Sequence, residues 1–123
     1  DLNYLPYLGT HIKKAKDIQL YKGKTIALAG IVITRKITAT RNRQPMEFVT
    51  FEDETDLYEC VMFPEAYETF GDLLNWETLF LIQGKVEKAY SVYTVTIEKL
   101  ISLTQMIKKI KETKTVLTES LSQ

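Results

Sequence analysis

A chain of 123 residues with 45% hydrophobic content is long enough to bury one core, and it has no run of the roughly 18 to 20 apolar residues that a membrane helix needs. Its start lacks the basic-then-apolar layout of a secretory leader, and its single cysteine, Cys60, excludes an internal disulfide and a thiolate zinc cluster, which fits a reducing, cytoplasmic setting. Sixteen basic and sixteen acidic residues cancel, so net charge alone points to no polyanionic partner.

In chain order, residues 1–23 carry Pro6, Gly9 and Gly23 among aromatic and basic residues, with only a weak helical pattern near 11–20. They read as a lead-in packed on a domain spanning 24–102. The start at Asp1 rather than Met is read as the mark of a piece of a longer chain. TIALAGIVIT (25–34) is uncharged and rich in β-branched residues, which predicts a strand, with Gly30 marking a bulge or sharp coil. ITATRNRQP (37–45) reads as a flexible loop. MEFVTFED (46–53) alternates as a second strand, and the acidic turn EDETD leads into a third, DLYECVMF (56–63), as a tight hairpin.

Pro64 suits the first turn of a helix, and Tyr67, Phe70 and Leu74 recur at helical spacing through PEAYETFGDLL (64–74). TLFLIQGKVEK (78–88) and VYTVTIEKL (92–100) predict two more strands joined by the short connection AYS. Beyond them Leu103, Ile107, Ile110 and Leu117 on a Lys-rich background predict an amphipathic helix or linker over 103–123. Five antiparallel strands in so short a chain do better closed than open, because closure removes exposed edges. The order of elements is that of an all-β fold with short helices: a five-stranded OB-fold Greek-key barrel, with a helix between strands three and four.

The charges are polarised along the chain. Ten of the sixteen acids fall in 44–84, a stretch without Lys or Arg, and the bases flank it, ending in Lys108, Lys109, Lys111 and Lys114.

Nothing in the sequence is patterned for chemistry. His11 is the only histidine, with no carboxylate or thiol patterned near it, and Cys60 shares the alternation of Tyr58 and Met62 as a small core residue. Glu52, Asp53, Glu54 and Asp56 lack the glycine and spacing of a calcium loop and read as a solvated turn. No phosphate-cradling glycine loop is present, so neither metal nor cofactor is expected.

Binding is the remaining role. In such a barrel the outer side of strands two and three, with the loops joining strands one to two and four to five, forms a groove for nucleic acid. The first loop supplies Arg35, Lys36, Arg41 and Arg43, and the second supplies Lys88 and Tyr90, with Tyr93 just beyond. Placing Val49 and Phe51 inside leaves Phe48 and Thr50 on the groove. Cations would hold the phosphates while Phe48 and Tyr90 stack under bases, each stack contributing roughly 1 to 3 kcal/mol. Glu47, Glu52 and Glu59 oppose phosphate, so weak, salt-sensitive and largely sequence-independent binding is expected.

The stretch AGIVITRKITATRNRQPMEFVTFEDETDLYECVMFPEAYETFGDLLNWETLFLIQGKVE, with its basic loop before MEFVTFED, its Phe63-Pro64 pair and its QGKVE strand, resembles the OB domain near the C-terminus of the bacterial DNA polymerase III alpha subunit, over 29–100. The preceding LGTHIKKAK looks like a degenerate version of that family's lead-in segment. The resemblance implies a non-catalytic module that contacts single-stranded template DNA, inside an assembly with a sliding clamp and a clamp loader. The parent chain would be a DNA-directed DNA polymerase whose catalytic aspartates and metals lie elsewhere. Similar OB domains read anticodons in class II aminoacyl-tRNA synthetases, where the residues matching Phe48 and Glu59 contact bases. That family usually has Gly where this chain has Asp56 and Gln where it has Glu59. The alternatives to single-stranded DNA binding are a protein-docking module, with Glu65, Glu68 and Asp72 meeting a basic partner, and anticodon-type RNA binding.

Overall fold

The computed structural model describes residues 11–122; Pro6, Gly9 and the rest of the first ten positions of the expected lead-in lie outside the described residues. The elements are β1 (Ile12–Lys13), a 3-10 segment (Ala15–Tyr21), β2 (Thr25–Ala39), β3 (Pro45–Glu52), β4 (Leu57–Met62), α1 (Pro64–Phe70) continuing as a 3-10 turn (Gly71–Asn75), β5 (Leu79–Ala89), β6 (Val92–Ser102) and α2 (Leu103–Leu121). Strand alternation makes the core. Val49 and Phe51 of β3, Tyr58, Cys60 and Met62 of β4, Phe80, Ile82 and Val86 of β5, and Val95 and Ile97 of β6 all point inward and are buried together.

The sheet runs β1-β2-β3-β4-β6-β5, and β2 pairs back onto β5 to close a five-stranded barrel of OB type. Residues 25–31 of β2 pair with β5 and residues 31–39 with β3, so one long strand serves both sides. The register shift lies between Val32 and Thr34 rather than at Gly30. Gly30 serves a close approach instead: a Cβ there would stand 2.6 Å from the Tyr58 hydroxyl. That hydroxyl donates to the Ala29 carbonyl at 2.7 Å, with the Tyr58 ring stacked on Phe51 at 5.8 Å between centroids.

Two expectations are corrected. The barrel is mixed rather than antiparallel throughout, because β4 pairs with β6 in parallel, from Glu59↔Thr94 to Val61↔Thr96. The chain reverses once from β4 to β5 and again from β5 to β6, so β6 returns to the direction of β4. The stretch 37–45 is also no flexible loop. β2 continues to Ala39, pairing Ile37 with Glu47 and Thr38 with Met46, and only residues 40–44 turn. That turn is tied by Thr40 N–H to the Gln44 carbonyl and Arg43 N–H to the Thr40 carbonyl, both at 2.9 Å.

The two mouths of the barrel are closed by different segments. α1 leaves the C-terminal end of β4, and its continuation buries Leu74 against the core. At the opposite end, the 3-10 segment buries Ala15 and Ile18. It is held by Asp53, whose carboxylate accepts from Ala15 N–H at 2.7 Å, Thr55 N–H at 2.8 Å and the Thr55 hydroxyl at 2.6 Å. Asp53 is thus a clasp and not part of a solvated turn.

Burial pushes the Asp53 carboxyl up, but the Thr55 hydroxyl and the Ala15, Thr55 and Asp56 amides outweigh it and hold the group below its ordinary value. A depressed folded-state value stabilises above the unfolded value of about 3.9 and is lost as pH falls through the lower, folded one. The thermal midpoint of Asp53→Asn should therefore lie below that of the unmodified chain by a constant gap near neutrality, and the gap should close in acid beneath the folded-state value. An equal gap at every pH would exclude this clasp.

α2 is capped by Ser102, whose hydroxyl accepts from Gln105 N–H at 3.1 Å. Gln105 donates to Glu77 at 2.8 Å, and no residue of the helix is buried. The expected amphipathic helix is present, but beyond its first turn it stands away from the barrel.

Candidate nucleic-acid interface

Because Val49 and Phe51 point inward, their neighbours Phe48 and Thr50 point outward, and the registers on either side set what stands beside them. Lys36, Phe48, Val61 and Thr96 form one row across β2, β3, β4 and β6. Thr34, Thr50, Glu59 and Thr94 form the next. Phe48 is 40% exposed, with the cationic Lys36 as its cross-strand partner. The Thr50 hydroxyl donates to the Glu59 carboxylate, so that acid is tied to the sheet surface. The face combines an aromatic plane, a cation and a hydroxyl–carboxylate pair.

The two loops bracket this face at opposite ends. Arg41 and Arg43, both exposed, lie in the 40–44 turn beside the start of β3. The parallel β4–β6 register carries the Tyr90–Ser91 turn to the other end, beside the β3–β4 turn. Tyr90 is fully exposed at the tip. Lys88 and Tyr93 pair with each other, continuing the inward row of Val86 and Val95, so they stand at the barrel mouth; the Lys88 ammonium lies 5.3 Å from the Tyr93 ring centroid.

Arg35 does not join them. It faces inward with Val49, and its Nε donates to Glu47 Oε2 at 2.5 Å while Nη2 donates to Oε1 at 3.2 Å. Nη1 donates to the Leu74 carbonyl at 3.2 Å and to Asn75 at 2.9 Å, which anchors the 3-10 turn that closes this mouth. Glu47 is completely buried and paired with Arg35, so, contrary to the expectation from the sequence, it does not stand on the outer face to oppose a phosphate. Its hydrogen bond, then its charge, raise the Arg35 value against the opposing effect of burial.

Sequence reasoning missed the cleft that adjoins the face. Ile18 and Gln19 of the N-terminal segment, with Thr50, Leu57, Glu59 and Tyr93, border a hollow of about 250 Å³. The exposed Leu57, alternating with buried Tyr58, is the sequence signal that could have marked its wall.

The Tyr90–Ser91 turn carries strain. Its two residues have φ of +52° and +69°, the left-handed pair that a two-residue hairpin needs and that Asn-Gly usually supplies. A non-glycine residue in that region costs about 1 to 2 kcal/mol. Ser91→Gly should raise stability by about 1 kcal/mol in urea unfolding and leave nucleic-acid affinity unchanged. A destabilised variant would exclude this account of the turn.

Elsewhere burial seals Cys60 and pushes its thiol well up, with Glu59 adding to the effect. Among the described residues no three His, Cys, Asp or Glu side chains gather as a metal site, and no helix is long and apolar enough to cross a membrane.

The family described as OB-fold nucleic acid binding domain matches residues 26–103. The DNA polymerase III subunit alpha of Halalkalibacterium halodurans is 30% identical over 71% of this chain. The chain spans only about 8% of the length of that relative and of the other polymerases it first matches. Among solved structures, the asparaginyl-tRNA synthetase of Pyrococcus horikoshii superposes with a TM-score of 0.58 at 21% identity, over 76% of this chain and 22% of that one. A mitochondrial single-stranded DNA binding protein of S. cerevisiae gives 0.54 at 10% identity, over 67% of this chain and 96% of that one.

Proposed function

This chain belongs to the family of OB-fold nucleic acid binding domains, and from that premise we propose that the outer face of β3 and β4 holds single-stranded DNA as a non-catalytic module of a replicative DNA polymerase. The observation that carries the reading is Phe48 turned outward in the middle of the face with Lys36 directly across from it. A single strand offers one charge per nucleotide and an unstacked π-face on each base, and this pair meets both. Arg41 and Arg43 at one end and Tyr90 at the other would continue the track. Thr50 and Glu59 between them present a carboxylate that can accept from an exposed base amino group but repels backbone, which keeps affinity modest.

The relatives named as DNA polymerases support DNA as the ligand and a polymerase as the parent. Any clamp or clamp loader would be reached through that parent.

Fluorescence anisotropy with a labelled single-stranded oligonucleotide tests the reading. Saturable micromolar binding is expected, with log affinity falling against log salt at a slope of about −2. That corresponds to roughly −0.7 for each phosphate neutralised on a single strand by Lys36, Arg41 and Arg43. Undetectable binding at high micromolar protein and low salt, or preference for duplex DNA, would refute it. Preference for a structured RNA loop over DNA would replace it with anticodon-type reading.

A further inference from the structure

We propose that the groove between α1 and β6 seats helix α2 of a second copy of this chain. The groove holds about 450 Å³, with Phe63, Ala66, Phe70 and Ile97 among its lining together with the carboxylates of Glu65 and Glu98. Phe63, the residue immediately before α1, is left 48% exposed. The stretch 44–84 that contains α1 has no Lys or Arg, and Lys99 is the cation at the β6 edge. Such a trough suits a helix that presents an aliphatic stripe with ammonium groups beside it.

α2 is such a helix. Its 19 residues extend for about 28 Å. Ile107, Ile110 and Leu117 lie on one stripe at 42%, 43% and 59% exposure, and Lys111 and Lys114 stand within or beside that stripe at helical spacing. Its own barrel meets it near the first turn through Gln105 and Glu77, and among the described residues nothing buries the stripe. The helix stripe is flanked by Lys111 and Lys114, and the groove sets two carboxylates, Glu65 and Glu98, against the one ammonium of Lys99, so each supplies what the other lacks. Reciprocal exchange of the two helices closes as a two-fold dimer, whereas one-way docking would propagate. The groove shares no residue with the face around Phe48.

Sedimentation velocity on the whole chain tests the pairing. A monomer–dimer equilibrium is expected in low salt, shifting to monomer in high salt. Lys111→Glu with Lys114→Glu, and separately Glu65→Lys with Glu98→Lys, should each abolish the dimer. Mixing the two variants should restore association between them, which also shows that both are folded. A chain that stays monomeric at high micromolar concentration in low salt, a dimer that survives either charge reversal, or a mixture that fails to associate would overturn the proposal.

Discussion

Arg35→Ala should destabilise the barrel by about 3 to 5 kcal/mol, lowering the thermal midpoint by at least roughly 10 °C, although Arg35 has the look of a surface cation. Glu47 is wholly buried and the Arg35 fork meets both of its oxygens, so truncation leaves a carboxylate in the interior without its partner. The same change removes the donor to the Leu74 carbonyl and Asn75, which frees the turn that closes this end. Arg35→Lys should recover only part of the loss, because a single ammonium cannot reproduce the two-pronged contact. The double variant Arg35→Leu with Glu47→Leu should regain most of it, since a buried pair exchanged for apolar side chains is often neutral. Thermal unfolding of the four proteins is the measurement. An Arg35→Ala variant within 1 kcal/mol of the unmodified chain would show that the pair has no structural role.

Phe48→Ala should weaken single-stranded DNA binding by roughly 1 to 3 kcal/mol, or about 5- to 150-fold, by removing one stacking platform. The ring is partly exposed, so the cost in stability should stay well under the roughly 3 to 5 kcal/mol expected for the sealed Phe51. The pair of reversals Arg41→Glu and Arg43→Glu should act differently, reducing the salt slope from about −2 to about −0.7 while leaving the thermal midpoint nearly unchanged. Anisotropy titrations at several salt concentrations separate the two contributions. Full affinity in Phe48→Ala would remove the outer face from the binding path, and an unaltered slope in the arginine variant would remove the 40–44 turn.

These two experiments also mark where the sequence was legible. The inward positions Val49, Phe51, Tyr58, Cys60 and Met62 follow a two-residue period, and that period placed Phe48 and Thr50 outside. The helix start at Pro64 and the short connection before Val92 were readable from local chemistry. Arg35 was not. Its partner Glu47 is twelve positions away and meets it only because β2 runs past Thr34 to pair with the whole of β3. Charged and β-branched residues mix in TRKITA, so composition suggested a loop, while the eight residues of β3 require a neighbour of matching length. The opposite positions of the arginine turn and Tyr90 follow from the parallel β4–β6 contact, a tertiary relation that no local pattern encodes.

That contact also orders events during synthesis. β4 finds its outer neighbour in β6, across the intervening α1 and β5. A ribosome must therefore release the chain beyond Thr96 before the cylinder can shut. Until then the β3–β4 hairpin has an unsatisfied flank open to adventitious strand addition. Charged side chains at Glu52 and Glu59 on that hairpin disfavour such pairing while the nascent chain waits.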